Sequence, residues 1–237
     1  MNIRGVTLKI SKLNDTGALK LLIKDTTPTF MNTIRRAVMS LVPTLSVENV
    51  AVYKNDSVLF DELLANRLAL VPIKTDLKEY GEKDTLKLTL EKEGPCIVYS
   101  SDIESRDPKA EVAFKNIPIT KLGENQVIKL EMTAILGTGK DHVKWQPALI
   151  SYAQLPKIKE GKSIKKYSDI ITKDSYEWTD NDIEKLKKDP NVELEYSNDF
   201  ILTVESYGQL ENKEVLMAAA RKLKEKIKEF EEVVKEI

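Results

Sequence analysis

A single cysteine, Cys96, and a single histidine, His142, are all that this 237-residue chain has of those two residues. One cysteine closes no internal disulfide, and with one histidine it makes neither a zinc knuckle nor an iron–sulfur cluster. Neither sign of charge dominates: 37 Lys and Arg against 38 Asp and Glu leave a net charge of −1. The chain as a whole therefore carries no electrostatic footprint for nucleic acid. No apolar run approaches the roughly 20 residues of a membrane helix, and Met1–Ile10 lacks the apolar stretch of a signal peptide. A cytoplasmic location is the resulting expectation. Phosphate-loop and serine-nucleophile motifs are absent. Gly137-Thr138-Gly139-Lys140 has neither the preceding glycine spacing nor the strand–loop–helix frame of the former.

What is present is a globular composition. The hydrophobic fraction is 41%, and the charged fraction of 32% is mostly Lys and Glu. The length suits one domain or two small ones and is ample for a core. Residues 5–12 and 18–24 alternate polar and apolar around the turn signal Asn14–Gly17, predicting a hairpin. A helix follows, with Thr27 as its cap, Pro28 at its first position and Pro43 ending it. Phe30, Ile34, Val38 and Leu41 form one apolar stripe on it, flanked by Arg35 and Arg36. Residues 46–54 read as a strand. Asp61 is placed to cap a short helix with Leu63, Leu64 and Leu68 on one face. From about 85 to 155 the pattern is strand-like, with candidates at Thr85–Glu91, Pro95–Ser101, Val127–Ala134 and Ala148–Gln154. Residues 157–191 turn polar and irregular, apart from a helical piece around Asp180–Lys188. Strands return at 192–196 and 199–206.

The last 25 residues contain no Gly or Pro and predict a long helix. Leu216, Ala220, Leu223, Ile227, Phe230, Val234 and Ile237 are spaced 4, 3, 4, 3, 4, 3, an unbroken heptad seam. Burying each large apolar member is worth on the order of 1.5–3 kcal/mol before ordering entropy. Periodicity alone leaves open whether the seam lies on its own sheet or on a partner.

Candidates for chemistry are few. His142 is a possible general base or a hydrogen-bonded loop residue. Cys96 sits in an apolar strand and reads as buried. The pair Asp61-Glu62 opens a helix, where the macrodipole favours carboxylates. Asp102 and Asp107 have no third ligand or cradle near them in the sequence. Arg35-Arg36 is either a solvated basic face or a bidentate contact to a partner's acid. Trp145, beside Lys144, is either core or an interface anchor.

Four segments carry a resemblance. Phe30-Met31-Asn32-Thr33-Ile34-Arg35-Arg36-Ala37 with Val42-Pro43-Thr44 is the first. Leu59–Ile73, with Asp61-Glu62 leading through Arg67-Leu68 to Val71-Pro72, is the second. Gly139–Trp145, with His142, Lys144 and Trp145, and Glu205–Leu210 complete the set. In this order they resemble the alpha-like family of RNA polymerase subunits, spanning residues 28 to 237. The resemblance implies an α+β fold. A discontinuous dimerisation domain, an antiparallel sheet plus two long helices, would comprise residues 1–45 and 192–237. A β-rich domain would be inserted at 46–156, with a satellite at 157–191.

It also implies a non-catalytic scaffold role in transcription, with no catalytic residue and no cofactor of its own. The stripe Phe30, Ile34, Val38 and Leu41 and the seam from Leu216 to Ile237 would pack on the small subunit L. Asn32, Arg35, Arg36, Asp61, Glu62, Arg67, His142, Lys144 and Trp145 match motifs used for further subunit contacts. The partners implied are the small zinc-binding subunits N and P and the second-largest catalytic subunit. The sequence departs from the family in three places. Residues 157–191 lack the cysteines of the iron–sulfur or zinc elements found in relatives, so no metal is expected there. Asn66 stands where the family often has His, and Val143 where it has Ala. Two other readings stay open: an enzyme using His142 with a carboxylate, and a coiled-coil adaptor working through residues 213–237.

Overall fold

A computed structural model describes residues 9–14, 16–81, 83–159 and 164–236. The strand expected over residues 5–8 and the seam residue Ile237 lie outside the described residues. In chain order the elements are β1 (Lys9–Asn14), β2 (Leu19–Lys24), α1 (Pro28–Leu41), β3 (Pro43–Asn55), α2 (Asp61–Ala69), β4 (Thr85–Glu93), β5 (Cys96–Tyr99) and β6 (Ile103–Ser105). There follow β7 (Pro118–Leu122), β8 (Val127–Thr138), β9 (Ala148–Lys159), α3 (Ser168–Ile171), α4 (Asp180–Lys188), β10 (Glu193–Ser206) and α5 (Asn212–Lys235). The fold is α+β, built on antiparallel sheets, as the sequence predicts.

The chain forms two compact units. One is drawn from Met1–Arg35 and Ile150–Val204. Its sheet runs in the order β1-β2-β10-β9. The predicted hairpin is the antiparallel pair β1–β2, and β2 pairs Ile23 with Phe200 and Leu21 with Leu202. Leu19, Ile23, Phe200 and Leu202 are buried, and Tyr152 meets the Phe200 ring edge-on at 6.0 Å. Alternation puts these side chains on one face because successive strand residues point to opposite sides. The two strand signals at 192–196 and 199–206 are one continuous strand, β10. The polar stretch between β9 and β10 carries α3 and α4. Thr179 and Asp182 form a capping box on α4, Leu186 and Ile170 are buried, and the Trp178 Nε1–H donates to the Ile170 carbonyl at 3.0 Å.

The second unit comprises Arg36–Leu149 and Glu205–Ile237. A four-stranded sheet, β3-β8-β4-β6, and the two-stranded β5–β7 hold its core. Leu45, Val47, Leu88, Leu90, Leu130 and Met132 are buried there with Leu64 and Leu68 of α2. Arg67 fixes α2 to β7, donating from Nε to the Ile119 carbonyl and from Nη2 to the Pro118 carbonyl, at 2.8 and 2.6 Å. Two expectations for α2 are corrected. Its N-cap is Phe60 rather than Asp61, and the Asp61 carboxylate lies in the first turn and accepts from Asn55 Nδ2 at 2.7 Å. Leu63 is 52% exposed, because only the positions four apart, Leu64 and Leu68, face the sheet.

The terminal helix falls within this second unit. Backbone bonds tie the strand-to-helix junction into it. Tyr207 N–H donates to the Pro147 carbonyl at 3.0 Å, and Thr75 N–H donates to the Gln209 carbonyl at 2.9 Å. Leu68→Ala should cost about 2–5 kcal/mol by leaving a cavity under α2, whereas Leu63→Ala should stay within about 0.5 kcal/mol. Denaturant unfolding of the two variants checks this ordering.

Candidate subunit interface

Helix α1 is capped as the sequence predicts: the Phe30 N–H donates to Thr27 Oγ1 at 3.2 Å. Its apolar residues divide between two faces. Met31, Ala37 and Val38 are buried. Val38, expected on a partner-facing stripe, is completely enclosed by its own chain. Ile34 and Leu41 are half-buried, and Phe30 is exposed. Arg35 is held on the helix by Asn32, whose Oδ1 accepts from Nε at 3.2 Å and from Nη2 at 2.9 Å. This i, i+3 contact pre-sets the planar guanidinium. Arg36 is exposed one position further round.

Helix α5 separates two roles along its length. Its first half buries Val215, Ala218 and Ala219. The heptad seam lies elsewhere, because at 3.6 residues per turn Leu216 is set about 100° round the helix from Val215. Leu216 and Leu223 are half-buried and Ala220 is exposed. Beyond them Ile227, Phe230 and Val234 are 66, 70 and 50% exposed. Ion pairs Lys222–Glu225 and Lys235–Glu231, both at 2.9 Å, lie along the helix. Three large apolar side chains on one stripe are thus left in water in the lone chain. Arg221, Lys222 and Lys226 of α5 also line a cleft with Ser40, Leu41 and Tyr80. There the Tyr80 hydroxyl donates to Asp107, and burial, with that carboxylate, pushes the phenol well above its usual range.

The segment Gly137–Trp145 turns inward. Trp145 is buried, its Nε1–H reaching the Ile135 carbonyl at 3.3 Å while its own carbonyl accepts from Thr44 Oγ1 at 2.8 Å. In the lone chain it is a core residue. Lys144 Nζ sits 4.3 Å from the centre of the Trp145 ring, donates to the Val47 carbonyl at 3.0 Å and pairs with Glu48. Only 10% of the Lys144 side chain is exposed. His142 Nδ1 accepts from the Lys144 N–H at 3.1 Å and caps the following turn. The ring acceptor of His142 is thereby occupied. Gly137 and Gly139 are needed for close approach: a Cβ on Gly137 would fall 2.4 Å from the Trp145 ring, and one on Gly139 1.9 Å from the Met39 carbonyl.

Of the expected contact residues, Asp61, Glu62, Arg36 and Arg67 are exposed, Arg67 with its guanidinium bonded to β7, while Lys144 and Trp145 are engaged inside the unit. Sequence reading did not single out the exposed apolar residues Val58 and Phe60, and it placed the exposed Leu63 on the buried helical face with Leu64 and Leu68. It also missed a cleft bordered by Leu70, Phe114, Val143 and Tyr207, whose residues come from four separate stretches. Among the described residues no group of three or more His, Cys, Asp or Glu is placed to hold a metal ion.

Residues 50–152 match the family model of the RNA polymerase Rpb3/RpoA insert domain. Over 201 residues the chain is 40% identical to DNA-directed RNA polymerase subunit Rpo3 of Methanocaldococcus jannaschii, covering 85% of this chain and 82% of that one. It is 35% identical to Rpo3 of Pyrococcus furiosus over 90% of this chain and 91% of that one. For Natronomonas pharaonis Rpo3 the identity is 36%, over 93% and 94%.

Gly137→Ala should push the Trp145 ring out of its seat and cost about 1–3 kcal/mol through overpacking. A red shift of tryptophan emission together with a lowered Tm is the expected reading.

Proposed function

This chain belongs to the Rpo3 family, the alpha-like subunits of archaeal DNA-directed RNA polymerase, and from that premise we propose that it is a non-catalytic assembly scaffold. It pairs with the small subunit L and so forms the platform on which the zinc-binding subunits N and P and the second-largest catalytic subunit gather. The observation that carries this reading is the stripe Ile227, Phe230 and Val234, exposed on the outer half of α5. Phe30 of α1, also exposed, supplies further apolar surface for a partner.

The competing readings lose support from particular residues. An enzyme built on His142 would need that ring to take a substrate proton, yet its Nδ1 is already taken by the Lys144 amide. An adaptor working through residues 213–237 alone would leave the helix separable. Instead Val215, Ala218 and Ala219 tie its first half into a folded unit. Scaffold residues act by being covered, so the relevant quantities are apolar area and register.

Co-expression with an archaeal subunit L, followed by size-exclusion chromatography with light scattering, tests the reading. A one-to-one heterodimer is expected. Ile227→Asp combined with Phe230→Asp should abolish it, since an unpaired charge buried in an interface costs several kcal/mol. Both side chains are exposed in the lone chain, so its fold should persist, as circular dichroism would record. Full pairing by the double variant would contradict the proposal.

A further inference from the structure

We propose that the cleft bordered by the end of α1, the turn after β8 and the middle of α5 binds a nucleoside di- or triphosphate. This goes beyond the scaffold reading and concerns a different flank of α5. The cleft lies wholly in the second unit and has a volume of about 670 Å³. Sites for small organic ligands span about 300–1,000 Å³. Leu41, Pro43, Leu77 and Leu136 give it an apolar lining, each of them half-buried. Tyr80 adds an aromatic ring, with its hydroxyl already donated to Asp107. Leu41, whose spacing placed it on the partner stripe of α1, borders this cleft.

Charge is the second character of the lining. Lys140 enters from the turn after β8, and Arg221, Lys222 and Lys226 enter from α5. Against these four cations stand three acids, Asp141, Glu225 and Glu229. Glu225 pairs with Lys222 at 2.9 Å, and Asp141 accepts from Thr138 Oγ1 at 2.7 Å. Lys140, Arg221 and Lys226 are exposed and make no ion pair with a described residue. The mouth of the cleft is therefore positive, with cations facing it from two elements. A guanidinium bonds phosphate oxygens in pairs, and ammonium groups add charge from any angle. An inorganic anion would use these cations and leave the apolar wall in water, whereas a nucleotide covers both. The heptad seam points elsewhere. At 3.6 residues per turn, Ile227 lies about 140° round α5 from Lys222 and about 160° from Glu225. A partner seated on the seam does not need this flank of the helix.

Calorimetric titration of the full chain with ATP, tripolyphosphate and adenosine tests the proposal, and is repeated on the chain paired with an archaeal subunit L. One ATP per chain is expected in both, with tripolyphosphate and adenosine each binding more weakly. Arg221→Ala with Lys226→Ala should weaken ATP roughly ten-fold or more, the cost of losing charge-assisted hydrogen bonds. Lys140→Ala, on a separate element, should weaken it as well. Lys185→Ala with Lys188→Ala removes the same charge from α4 and should leave ATP binding unchanged. No ATP binding at millimolar concentration would overturn the proposal, as would equal weakening by the two double variants. Tripolyphosphate as tight as ATP would mean an adventitious anion only. An acidic peptide that displaces ATP more strongly than tripolyphosphate does would make the cleft a polypeptide site instead. Binding to the lone chain that vanishes in the heterodimer would show that the partner covers this flank, and would also overturn it.

Discussion

Ile227, Phe230 and Val234 stand in solvent on the outer half of α5, with half or more of each side chain exposed. That exposed seam is the constraint on which the rest of the arrangement turns. Charge-rich positions on the other faces of α5, with its i, i+3 and i, i+4 ion pairs, favour helix locally by a few tenths of a kcal/mol each. They do not remove the unfavourable exposure of three large apolar groups. A helix with this pattern keeps its register best when a second surface covers the seam. The first half of α5, tied down by Val215, Ala218 and Ala219, sets where that seam is presented.

The second unit carries the α5 seam on a well-packed core. Its own packing and hydrogen bonds engage several residues that the family motifs place at contacts. Trp145 fills the space that Gly137 leaves open, Lys144 is used up by Glu48, the Val47 carbonyl and the indole face, and Arg67 pins α2 to β7. Side chains locked in this way position a surface more than they form it. The apolar groups left in water lie on the outer α5 seam, at Phe30 and at Val58, Phe60 and Leu63.

The α+β class, the hairpin, both long helices and the satellite helix at Asp180–Lys188 were legible because each rests on local periodicity or capping chemistry. Thr27 and Pro28 mark the start of α1 for reasons confined to one helical turn. What was not legible depends on distant partners. Nothing near Trp145 in sequence says that two glycines eight and six residues earlier make room for it and the loop that carries it. Val38 matches the stripe of Phe30 and Ile34 by spacing, yet tertiary packing encloses it and leaves Phe30 outside. Asp61 has the composition of a cap, but Asn55 and the local turn move the cap to Phe60. The cleft bordered by Leu70, Phe114, Val143 and Tyr207 gathers four separate stretches of chain and has no linear signature. The family resemblance was carried by short motifs whose residues proved partly internal, so the motifs report the fold of the second unit as much as its contacts.

Amide hydrogen exchange along α5 tests the central claim most directly. In the lone chain the amides of residues 224–236 should exchange far faster than those around Val215–Ala219. In the complex with subunit L they should become protected to a comparable degree. Equal protection of the outer half with and without the partner would mean that the seam is covered by its own chain, and would contradict the account.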